Sequence, residues 1–124
     1  MTLFEGLVLA HLAGDWLFQT EWMAHNKRSN WLALVAHLLV YHSIIGWVMA
    51  FCFHLPLMNV GIALGFLIVT HAILDRQNFV KWYVKTMRLY VDRQPERWFL
   101  IAIDQTFHLL LLGAISIYLT HLPH

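Results

Sequence analysis

Four apolar runs are separated by short polar stretches. They cover about Leu3 to Phe18, Trp31 to Leu55, Val60 to Leu74 and Trp98 to Leu119. Each has the length and composition of a helix rather than a strand, and the class is all-α. The first run is short and carries a polar stripe, His11, Asp15 and Gln19, at four-residue steps that fall on one helix face. Gly14 adjoins the stripe and allows a close helix approach. The second run contains His37 and Tyr41 on one face, with His42 off that face. The turn His54 to Asn59 follows, where Pro56 is expected to end the helix. In the third run Gly61 and Gly65 form a small-xxx-small pair, a candidate homodimer face, and the run closes on His71 and Asp75. The fourth carries Asp104, Gln105 and His108 in its first half.

Two stretches break the apolar pattern. Thr20 to Asn30 is a polar turn flanked by Trp22 and Trp31, aromatic residues suited to a membrane–water boundary. From Arg76 to Arg97, Phe79, Val80, Tyr83, Val84, Met87, Tyr90 and Val91 share one helical face, and Lys81, Lys85, Arg88 and Asp92 the other. That pattern predicts an amphipathic helix over about 78–92, lying at a membrane interface or packed on the other helices. Pro95 is expected to break it.

Composition makes the apolar runs membrane spans. Hydrophobic residues make up 60% of the chain and charged residues 12%, against roughly 25% in soluble domains. Residues 29 to 74 contain no Asp, Glu, Lys or Arg, enough for two spans of about 20 residues. The expectation is one multi-pass domain over residues 1–124: an integral membrane four-helix bundle with an amphipathic helix between spans three and four. A cleaved signal is not expected, because Glu5, His11 and Asp15 interrupt the first apolar run. All eight Lys and Arg fall in 27–28 and 76–97, which puts those segments in the cytoplasm and both termini outside. The lipid bilayer is the expected surrounding. Nucleic acid is not an expected partner, since no basic, aromatic surface remains outside the spans. The single Cys52 rules out a disulfide framework within one chain.

The chemistry lies in three His/Asp pairs, each four residues apart: His11/Asp15, His71/Asp75 and, in reversed order, Asp104/His108. At about 1.5 Å per residue from the cytoplasmic ends of the spans, His11 lies about 12 Å deep and Asp15 about 6 Å. His37 and Asp104 lie about 9 Å deep, His71 about 6 Å and His108 about 15 Å, with Asp75 at the boundary. The pairs therefore converge in one half of the membrane. Unpaired carboxylates there cost several kcal/mol each. Pairing with His as polar glue between spans is one compensation, and a bound cation is another. Nitrogen and oxygen ligands without sulfur suit a divalent transition metal, Zn foremost, with Mn, Fe, Co or Ni as alternatives, as one or two ions. The expected ligands are His11, Asp15, His71, Asp75 and His108. Asp104 is expected to act as a ligand or general base and His37 as a proton donor. Gln19 and Gln105 are expected to orient the ligands. His25, His54, His121 and His124 fall in turns or at the end, where solvent or the interface is expected, and Glu5 lies at the opposite end.

The run His11-x3-Asp15-x3-Gln19-Thr20-x-Trp22-Met23-Ala24, with Asn26-Lys27 after it, resembles the start of an uncharacterised bacterial and phage membrane family, the domain-of-unknown-function family 3307. The resemblance continues through His37, His71 with Asp75, and Asp104-Gln105-x2-His108-Leu109, and spans essentially the whole chain. It implies a bacterial inner-membrane protein and brings no established activity. A looser likeness exists to small membrane proteins labelled metal-dependent hydrolases, which also set His and Asp at helix ends. Arg76 to Arg97 is more basic and aromatic than the family pattern. Three functions fit these residues. One is a metal-dependent hydrolase acting at the cytoplasmic headgroup level on a lipid or lipid-linked substrate. The second is a metal-ion or proton transporter, and the third a small membrane interaction or effector protein with a structural His/Asp cluster.

Overall fold

The computed structural model describes residues 1–90 and 93–122. Val91, Asp92 and His124, assigned above to helix faces and to the chain end, lie outside them. Six helices and no strand occur among the described residues. Helix α1 (Leu3–Leu12) runs on through a π-helical turn, Ala13–Leu17. Then come α2 (Glu21–Asn26), α3 (Trp31–Trp47, extended by a π-helical turn Val48–Cys52), α4 (Leu57–Asp75), α5 (Asn78–Thr86) and α6 (Arg97–Thr120).

Local chemistry sets the helix starts. Thr2 and Glu5 cap α1 reciprocally, Glu5 N donating to Thr2 Oγ1 at 3.2 Å and Thr2 N to Glu5 Oε2 at 2.6 Å. Glu5 is thereby committed to the end away from the His/Asp residues. The Asn30 carboxamide oxygen accepts from Leu32 N and Ala33 N, which starts α3 at Trp31 and puts His37 in its second turn.

Four helical segments pack in a ring: α1 touches α3 and α6, and α4 also touches α3 and α6. One half of the ring is filled by Leu7, Ile45, Met49, Ala63, Leu112 and Leu119 with their neighbours. The other half holds the His/Asp residues. Large apolar side chains face outward all round, for example Leu17, Leu32, Leu39, Phe51, Leu57, Val69, Leu110 and Ile117. Three segments, Trp31–Cys52, Leu57–Asp75 and Arg97–Thr120, are long and apolar enough to cross a membrane. An apolar outer surface on such helices fits association with lipid. The first segment, ten residues and then five, spans about 22 Å, short of the roughly 30 Å of a hydrocarbon core.

Several expectations shift. Thr20 to Asn30 is not a plain turn, since Thr20 caps the short α2 by accepting from Met23 N. Pro56 does not end α3, which has stopped at Cys52; it stands at the N-cap of α4, where its missing N–H is harmless. The amphipathic helix ends at Thr86 rather than near 92. Met87 leaves the helix, and Arg88 follows with φ 52, in the left-handed region. It docks on the ring: Val80 and Val84 are buried, and the Phe79 and Tyr83 rings meet Phe107 edge-on at 5.2 and 5.0 Å. Gly61 and Gly65 face outward, and a Cβ on either would meet nothing within 4 Å. The closest approaches belong to Gly6 and Gly14. A Cβ on Gly6 would lie 2.4 Å from the Phe53 ring, and one on Gly14 2.7 Å from Tyr41 Cδ2 and 3.3 Å from Tyr41 Cα.

Candidate functional site

Each buried polar side chain reaches one end of the ring from a defined helix position. His11 lies in the last turn of α1 and Asp15 in the π-helical turn that follows. Such a turn widens the helix by one residue and is often found at functional sites. His71 and Asp75 close α4, and Asp104 and His108 lie in the third and fourth turns of α6. After Asp75, Gln77 adopts a left-handed conformation (φ 59) and redirects the chain into α5. Arg76 fastens the α2–α3 connection over this end. Its Nη1 donates to Arg28 O at 2.9 Å, and its guanidinium lies 3.8 Å from the Trp31 ring centroid.

Asp75 Oδ2 is the centre. It lies 3.2 Å from His37 Nε2, 3.2 Å from His71 Nε2 and 3.0 Å from Lys27 Nζ. The two imidazole nitrogens are 3.3 Å apart. Tetrahedral ligands with bonds of 2.0–2.1 Å stand about 3.3 Å from one another. The triangle of His37 Nε2, His71 Nε2 and Asp75 Oδ2 therefore has the edges of one face of such a polyhedron. None of the contacts to Asp75 is aligned as a hydrogen bond, and both its oxygens, though buried, lack a hydrogen-bond partner. Asp15 Oδ1 lies beside the face, 3.1 Å from His37 Nε2 and 3.9 Å from His71 Nε2.

The other Asp75 oxygen, Oδ1, points toward α6 and lies 3.8 Å from His108 Nε2. His108 Nδ1 donates to Asp104 O at 2.9 Å, which leaves the Nε2 lone pair free to ligate. Among the described residues, three overlapping groups place ligand atoms within 4.8 Å of one another. They are His37, His71 and Asp75; Asp15, His71 and His108; and Asp75, Asp104 and His108. All six residues are buried, and together they could hold a metal ion.

His11 belongs to none of these groups. Its ring nitrogens are both engaged, Nδ1 with Tyr41 Oη and Nε2 with Gln105 Oε1, each at 2.9 Å. One assignment satisfies all partners: Tyr41 O–H donates to His11, His11 N–H donates to Gln105, and Gln105 Nε2 donates to Asp15 Oδ2 (3.2 Å) and Asp104 Oδ2 (3.4 Å). Gln105 thus orients two carboxylates. Gln19 reaches only the Asp15 backbone, donating from Nε2 to the carbonyl at 2.9 Å. His42 is not remote: it is buried, its ring 4.9 Å from Tyr41 and 5.2 Å from His71. His25, His54 and His121 are exposed, as is Cys52.

Two residues that sequence reasoning passed over take part. Tyr41 packs edge-on against His71 at 4.1 Å while holding His11. Its place four residues after His37 was the available signal. Lys27 looked like a loop cation, but its side chain is only 13% exposed and pairs with Asp75. Its tether, the fold-back of α2, is not visible in hydropathy.

The family model described as protein of unknown function (DUF3307) matches residues 3–123, which include all of these side chains. The chain belongs to that family. No curated protein and no solved structure matches it.

Proposed function

We propose that this DUF3307 member is a four-span membrane protein whose His/Asp cluster binds a divalent transition metal, Zn first, and that it is a hydrolase of lipid or lipid-linked substrates. The observation that carries the reading is the triangle of His37 Nε2, His71 Nε2 and Asp75 Oδ2, with edges of 3.2, 3.2 and 3.3 Å. In this reading His37 is a ligand rather than a proton donor. Asp15 and His108 would supply further ligands beside Asp75. His11 and Gln105 orient the ligating carboxylates, and Asp104 is the ligand or base nearest the open side. A divalent ion supplies Lewis acidity and an acidified water near neutral pH. Hydrolysis adds water across the scissile bond: the water oxygen joins the acyl or phosphoryl centre, and the leaving oxygen or nitrogen takes the proton.

The site lies at the end where Trp16, Trp31 and Trp98 are exposed, as expected of headgroup depth. Lys27, Arg28 and Arg97 also lie there, which supports a cytoplasmic-facing site in a bacterial inner membrane with both termini outside. The outward Gly61/Gly65 face is open to a second copy. The Lys27–Asp75 pair at 3.0 Å favours a second reading, a metal-free polar network that joins the helices. Mass spectrometry of protein purified without chelator or His-tag separates the two. About one or two equivalents of a transition metal, lost in His71→Ala, is the expected result. Metal-free protein that cannot be reloaded supports the network.

A further inference from the structure

A cavity of about 190 Å³ opens beside the His/Asp cluster. Its polar wall carries three carboxylates, Asp15, Asp75 and Asp104, and three basic groups, Lys27, Arg28 and Arg97. Lys27 Nζ lies 3.0 Å from Asp75 Oδ2. Arg28 and Arg97 have no ion-pair partner among the described residues, and Arg28 Nε is buried without a hydrogen-bond partner. The Arg28 backbone is also held, because Arg76 Nη1 donates to its carbonyl at 2.9 Å. Burial and the neighbouring Arg97 charge push the Arg28 guanidinium below its ordinary range. Two like charges are thus held together on a cavity wall, one half-buried and one at the rim. That arrangement suits a bound anion, and paired guanidinium forks match phosphate oxygens.

We propose that Arg28 and Arg97 bind the phosphate of a phosphate monoester, and that this ester is the substrate class of the proposed hydrolase. The proposal rests on the cluster being a divalent-metal centre. Charge decides between substrate classes. The three carboxylates formally cancel the three basic groups, and one divalent ion leaves two positive charges. A phosphate monoester dianion neutralises them, whereas a carboxylic ester or an amide does not. Trp16, 64% exposed, forms part of the same cavity wall and sets it at the depth of lipid headgroups. In the reaction the water oxygen bonds to phosphorus and the P–O bond to the alcohol breaks. The alcohol oxygen takes a proton, so that one ester and one water give one alcohol and inorganic phosphate.

The test is calorimetric titration of the full-length protein in detergent, with metal content measured on every sample. The probes are dihexanoyl phosphatidic acid, inorganic phosphate and, as control, dihexanoyl phosphatidylcholine. The expected result is binding of phosphatidic acid over phosphatidylcholine, weakened about ten- to hundredfold in Arg28→Ala and in Arg97→Ala at unchanged metal stoichiometry. Arg28→Lys, which keeps the charge and loses the fork, is expected to fall between wild type and Arg28→Ala. Tighter binding of phosphatidic acid than of inorganic phosphate assigns the site to a lipid headgroup, and equal binding assigns it to free phosphate. Metal-loaded protein that binds neither phosphate probe better than phosphatidylcholine overturns this proposal alone, as do Arg28 and Arg97 variants that bind like wild type. Arginine-dependent phosphate binding by protein that takes up no metal supports phosphate recognition and overturns the metal centre instead.

Discussion

Asp75→Asn separates a metal centre from a polar network, because the substitution keeps the side-chain shape while removing the charge and one acceptor oxygen. In the absence of metal, Asp75 Oδ2 compensates Lys27 at 3.0 Å, with side-chain exposures of 1% and 13%. Breaking a buried ion pair from one side costs about 3–5 kcal/mol. The residual exposure of Lys27 puts the expected loss near the lower end. In the presence of metal, a site loaded at a thousand times its Kd gains about 4.1 kcal/mol of stability. Losing a charged ligand shared by two of the three candidate groups should exceed the roughly 10–100-fold cost of losing an orienting partner. At the same metal concentration the gain then falls to about 1.4 kcal/mol or less. The assay is graded SDS unfolding followed by helical circular dichroism, for wild type and variant, with chelator and with saturating zinc. Metal stabilisation that is equal in both proteins refutes the coordination argument. Unchanged stability in chelator refutes the Lys27–Asp75 pairing.

Gln105→Leu leaves every candidate ligand in place but frees Asp15, Asp104 and His11 from their common partner; metal affinity measured by competition with a chromogenic chelator should fall about ten- to hundredfold. Gly14→Ala puts a methyl 3.3 Å from Tyr41 Cα and should destabilise the fold by about 1–3 kcal/mol, read by SDS unfolding. Gly61→Leu meets nothing in the monomer, so unfolding of the isolated chain should change by less than about 0.5 kcal/mol. If the outward face of α4 joins two copies, the same variant should show a smaller oligomer by crosslinking in vesicles.

Much of the site is legible in the sequence because helical spacing is a one-dimensional property. His11/Asp15, His71/Asp75 and Asp104/His108 each had to share a face, and counting residues from the span ends put them at similar depth. The count could not resolve what each nitrogen faces. His11 shares its spacing with Asp15, yet both its ring nitrogens are taken by Tyr41 and Gln105, partners 30 and 94 residues away. His37, with no carboxylate four residues away, joins His71 and Asp75 because α3 lies against α4.

The sequence by itself determined that the chain is helical, that its outer surface is apolar, and that three His/Asp pairs stand near one end. Composition and period carry those properties, and neither depends on which helices are neighbours. Tertiary structure alone decided the ring of contacts, the docking of α5, and the fold-back of α2 that brings Lys27 and Arg28 over the site. It also turned the small-xxx-small pair of α4 outward and gave the close approach to Gly14 instead. A glycine pair shows that a helix can be approached closely, and only the packed neighbours decide whether anything approaches it.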